Sequence, residues 1–271
     1  MRGVRADDGE PRRPHQRWDG RRSLVSVAVV LGLLSVVLAA CGSSKTHPSA
    51  VVDDLRRDFA KVLTTRVTAL EDLRTVSAAV TAVQQADDAT SRGTTVDEEL
   101  ITTSVNQSAQ AAPIVARTRS DVASYQNALA SLEQDARNPK TSLDDEQRAK
   151  IAALCTTGRA EAEAIKGTAT AYATEWPAYS GLAQALQTWL QRSQHGQYVT
   201  TDDAQLGYRD LTTQFEADLA IGRASAAAAE TTRNAASKEM ATAIGTVQAE
   251  VPALENVPLP APSEATSSPR S

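Results

Sequence analysis

Few side chains in this sequence combine a reactive type with a useful spacing. Two are cysteines, Cys41 and Cys155. Cys41 follows Leu38-Ala39-Ala40 at the end of an apolar run, with two small residues directly before its thiol. Cys155 stands on an apolar stripe, where a free cysteine behaves as a small apolar residue. A reactive thiol wants exposure and a nearby base, and Arg159, the closest charge in sequence, falls just off that stripe. The histidines His15, His47 and His195 share no ligand spacing, and Glu-x-x-His, His-Glu-x-x-His and Cys-x-x-Cys are absent. His195, beside Gly196 at a predicted helix end, fits a dipole contact. Carboxylate pairs at Asp53/Asp54, Asp97 to Glu99, Asp144 to Glu146 and Asp202/Asp203 fall at predicted helix starts, where capping explains them without catalysis. Glu161 and Glu163 flank the core position Ala162 and read as solvated neighbours of it. A phosphate loop and a Gly-x-Ser-x-Gly elbow are both missing. The expectation is no enzyme, with no catalytic residue, cofactor or metal; a hydrolase with dispersed carboxylates ranks last.

The stretch Leu24 to Ala40 is an apolar run of 17 residues behind Arg21-Arg22, at the short limit for a bilayer-spanning helix. A basic segment, an apolar core and small residues before a cut site make a secretory signal. Leu38-Ala39-Ala40-Cys41 resembles the lipobox of bacterial lipoproteins, and the resemblance covers residues 21 to 42. It implies thioether attachment of diacylglycerol to Cys41, with palmitate-type acyl chains, and cleavage between Ala40 and Cys41. Two acyl chains hold a protein at a membrane far more firmly than one. The implied place is the outer face of the cell membrane. Arg21-Arg22-Ser23-Leu24-Val25 is partly similar to a twin-arginine signal, which leaves the export route open. Residues 1 to 20 are either a long n-region or the product of a start codon assigned too early.

The net charge is −5, and removing residues 1–40 takes away four acidic and seven basic residues, leaving −8. Such a balance disfavours nucleic acid as a partner and electrostatic adhesion to anionic lipid. Aromatic residues are 4% of the chain, and Ala and Thr are abundant, which favours thin close-packed helices. The composition resembles that of actinobacterial lipoproteins.

Four long helical patterns follow a tether at 41–49. The first spans Ser49 to about Asp87, with a stripe running from Val52, Leu55 and Phe59 to Val80 and Val83. The second opens on Thr95-Val-Asp-Glu98 as a capping box and carries Pro113, expected to kink or split it. The third opens on Ser142-Leu-Asp-Asp145. Its seam, Ile151, Cys155, Gly158, Ala162, Ile165, Ala169, Tyr172, Trp176, Tyr179, Ala183, Leu186 and Leu190, alternates by four and three without a slip. Pro177 and Gly181 predict a bend there, and Gly196 a C-terminal cap. The fourth opens on Thr200, and its small run Ala224–Ala229 would admit a close backbone. The fold expected is all-α: an elongated antiparallel four-helix bundle over 50–250, between a disordered N-terminal leader and a disordered Pro/Ser-rich tail at 251–271.

Tyr172, Trp176, Tyr179 and Trp189 crowd around Pro177 and Gly181. Bulky rings can fill a bend, or they can anchor a partner or ligand. The leading expectation for function is a lipid-anchored, non-catalytic scaffold or adaptor with an envelope protein partner. The alternative is a small-molecule binding or sensing module using an interhelical site near Trp176.

Overall fold

The computed structural model describes residues 48–92 and 97–260. The leader, the Leu38–Cys41 motif, the tether as far as residue 47, Thr95 and the tail beyond 260 lie outside the described residues. Four long helices carry the fold, and no strand occurs among the described residues: α1 (Pro48–Ser91), α2 (Glu98–Ala136), α3 (Asp145–Gln194) and α4 (Thr201–Glu250). They share one apolar core, with Leu55, Phe59, Leu73, Leu129, Ile151 and Ile165 among its fully buried side chains.

Short polar signals set the helix ends. Asp97, within the predicted Thr95–Glu98 box, caps α2, its carboxylate accepting from the Leu100 amide at 3.0 Å. Asp144, not Ser142, caps α3 through a reciprocal pair with Gln147. A carboxylate is the stronger acceptor for orphan amides. Ser142 instead takes the left-handed turn, at φ 56°, after the 3-10 turn Pro139–Thr141. Thr200 caps α4 as expected, in a box with Asp203. Gly196, at φ +67°, closes α3: its amide donates to Ser193 and that of Gln197 to Arg192, the paired bonds of a Schellman ending.

Two further expectations change. Pro113 leaves α2 unbroken; it is exposed, so the amide it lacks is missing on the wet side. Unbroken, α2 buries Ser104, Ser108 and Thr118. Ser104 and Thr118 turn their hydroxyls back onto the carbonyls of Ile101 and Ile114, at 2.8 and 2.7 Å. The small run on α4 buries Ala226 alone, yet α3 reaches its backbone, the Thr168 hydroxyl donating to the Ala229 carbonyl at 3.2 Å. The segment 251–257, expected in the disordered tail, folds back in a 3-10 turn, Pro252–Leu254, that buries Val251, Leu254 and Val257. Spacing by three puts those side chains on one side of the turn, and Arg56 Nε holds the Ala253 carbonyl at 2.6 Å.

Helix α3 packs against all three other helices. It therefore buries a column beyond the predicted seam: Leu154, Glu161, Thr168, Glu175, Leu182 and Trp189, each seven residues after the last. Two members of this column are carboxylates.

Candidate functional site

The first of these, Glu161, is fully buried, which corrects the expectation of a solvated neighbour. It sits where all four helices converge. Arg66 of α1 forks onto it, Nε to Oε2 at 2.8 Å and Nη2 to Oε1 at 2.8 Å. Tyr125 of α2 donates its hydroxyl to Oε2 at 2.8 Å. Arg66 Nη2 also donates to the Ser237 carbonyl of α4 at 3.1 Å. Burial, with the Glu161 charge beside it, pushes the Tyr125 phenol far above its ordinary pKa. The phenol thus stays protonated and donating. A buried charge is tolerable only with this degree of pairing, and the cluster has the bonding of a structural tie.

The second, Glu175, is 6% exposed, and neither carboxylate oxygen has a hydrogen-bond partner. Desolvation raises its pKa. It lines a groove of about 800 Å³ between α3 and α4. On the α4 side Gly222 lies so close that an added Cβ would sit 2.4 Å from Glu175 Cγ. Gly222 is thus the residue that makes room for this carboxylate.

The four aromatic residues predicted as a contact site are placed differently. Tyr172 is buried, with its hydroxyl on Glu230, which also accepts from Ser77 at 3.1 Å. Tyr179 is buried and accepts from Gln84 at 2.9 Å. Trp189 donates Nε1 to the Ala204 carbonyl at 2.9 Å and meets Tyr208 edge-on, ring centres 6.3 Å apart. Trp176 is half-buried against the core. Gly181 admits the Phe215 ring, which occupies the place of a Cβ. These rings join helices; the α3–α4 groove is lined by their neighbours, Glu175 and Pro177 among them, and not by them.

Remaining chemistry is sparse. Cys155 is buried, and its thiol is pushed up to about 12 by desolvation, so it is protonated and inert. His195 sits at the α3 end with Nδ1 2.6 Å from the Gln191 carbonyl. Asp121 is pushed up to about 6, by burial first and then by Asp72, whose carboxylate takes the Arg117 fork. A second groove, of about 650 Å³, exposes Leu70, Arg74, Leu100 and Arg233 with no carboxylate in its lining. Among the described residues no group of three or more His, Cys, Asp or Glu could hold a metal ion, and no helix is long and apolar enough to cross a membrane.

The described residues fold as an all-helical protein, and two of their three buried carboxylates, Glu161 and Glu175, stand on α3, the third being Asp72 on α1. No family model, curated protein or solved structure matches the chain.

Proposed function

We propose that this chain is a lipid-anchored extracytoplasmic protein, a non-catalytic scaffold or adaptor at the outer face of the cell membrane, held there by acyl chains on Cys41. The observation that carries the reading is Leu38-Ala39-Ala40-Cys41 closing an apolar run behind Arg21-Arg22. Its helical part is an antiparallel four-helix bundle. Contacts whose numbers run in opposite senses support that arrangement: Arg117 with Asp72, Arg159 with Glu133 and Tyr125 with Glu161, then Trp189 with Ala204 and Thr168 with Ala229. The scaffold reading is supported by the use of Glu161, Arg66 and Tyr125 in one helix-joining tie, which leaves them no catalytic role. An envelope protein is the partner, and nucleic acid is not.

The test is crosslinking and pull-down from intact cells, comparing the full chain with Cys41→Ala. The anchored form is expected to fractionate with membrane and to capture a distinct envelope protein that Cys41→Ala does not capture. A soluble, partnerless monomer in native membrane extracts would overturn the reading.

A further inference from the structure

We propose that the α3–α4 groove is a binding site for a small organic cation, a primary ammonium or guanidinium on a short apolar chain, with Glu175 as its counter-ion. This goes beyond the scaffold reading and does not rest on it, because the groove belongs to the helical domain whether or not Cys41 is acylated.

Buried polar groups are almost always satisfied, and each exception needs a cause. Glu175 is an exception twice over, since both of its oxygens lack a partner. Pro177, which lines the same groove, has no amide hydrogen to donate there. Gly222, on the opposite wall, leaves the Glu175 side chain the room it occupies.

The surrounding charge has the matching sign. Lys166 is occupied by Glu163 at 3.2 Å, and Glu163 also accepts from Gln126. Asp218, on the exposed rim, has no ion-pair partner among the described residues. The groove thus offers a surplus of negative charge, while the donors of Lys166, Thr170 and Thr174 in its lining are engaged by Glu163 and by helix carbonyls. Ammonium carries three donors and guanidinium five, and neither accepts. The rest of the lining is apolar or small, including Ala171, Ala178 and Ile221, the last 76% exposed in a position where an alkyl chain would cover it. A carboxylate on a flexible side chain can turn toward a ligand in the groove, and pairing there replaces the solvation that burial removes.

The experiment is calorimetric titration of the full chain, in detergent, with n-butylammonium, and with n-butanol as the uncharged control. Saturable binding of n-butylammonium is expected, with none for n-butanol. In Glu175→Gln affinity should fall about 10-fold or more, since the ligand's charge loses its counter-ion. In Asp218→Lys, on the exposed rim, it should fall about 3-fold or more through charge reversal alone. No saturable binding to the wild-type chain, equal binding of n-butanol, or unchanged affinity in Glu175→Gln would each overturn the proposal. If circular dichroism shows Glu175→Gln unfolded, unchanged affinity in Asp218→Lys overturns it instead. Failure here leaves the lipid anchor untouched, because that reading is measured by fractionation.

Discussion

Glu161 and Glu175 occupy the same column of the same helix, two heptads apart, and both are buried. One receives an arginine fork and a phenol; the other receives nothing. The periodicity of α3 dictates that both positions face inward, but it does not dictate how each is satisfied. Satisfaction depends on what neighbouring helices present at that height: Arg66 and Tyr125 in one case, Gly222 in the other. The same residue type is therefore a fastening at one level and an open valence at the other.

The largest effect should come from breaking the fastening. Glu161→Met alone leaves the part-buried Arg66 without its counter-ion, and should cost about 3–5 kcal/mol in urea unfolding. Arg66→Met should cost a similar amount. The double replacement should recover most of the loss, because it removes both charges together; strictly additive losses would mean the two side chains are not coupled.

A smaller, signed effect follows from pH. Glu175 and Asp121 both bind their protons more tightly folded than unfolded, Asp121 at about 6 against 3.8. Their contribution is present in full below the unfolded value and lost as pH rises through the raised one. Burial alone shifts Glu175, whose carboxylate in turn acts on Tyr179 of the same helix; the groups facing Asp121 are Asp72 and Arg117. Glu133 is shifted the other way by Arg159, so its effect falls at lower pH. Thermal melts should show stability rising between pH 7 and pH 5, by about 1 kcal/mol or more. Glu175→Gln with Asp121→Asn should reduce that rise, the remainder coming from Asp87 and Asp135, which burial also shifts upward, and an unchanged slope would contradict it.

The smallest effect is a local report. Cys155 precedes Glu161 by less than two turns and is buried. It should resist a thiol reagent in the wild-type chain and in Glu175→Met, and label faster in Glu161→Met, where the tie has been cut. Equal labelling in all three chains would detach the tie from the opening of the core.

The four helices were legible because their apolar stripes are long and because Gly196 and Thr200 mark the end of α3 and the start of α4. The α3 cap at Asp144 was displaced from Ser142, because several candidate caps stand in a row and only backbone geometry selects one. Arg66 was not legible, since it falls between Leu63 and Val67 and a lone arginine beside an apolar stripe reads as solvent-facing. Glu161 and Glu175 left a signal in the heptad column from Leu154 to Trp189, but a two-column seam hides it. That third column is buried only because α3 packs on three neighbours, a tertiary fact. The aromatic residues around Trp176 marked the right neighbourhood for the groove, although the side chain that lines it is the residue before, Glu175.

The most direct test of the contrast is urea unfolding of Glu161→Met and Glu175→Met measured side by side. The two changes remove the same charge and insert the same side chain on the same helix. Glu161→Met should destabilise by about 3–5 kcal/mol, and Glu175→Met, which removes a carboxylate that nothing holds, should stabilise by about 1–3 kcal/mol. Opposite signs would establish one glutamate as a fastening and the other as an unfilled valence. Destabilisation of similar size in both would contradict the account, and would mean that Glu175 has a partner in solution.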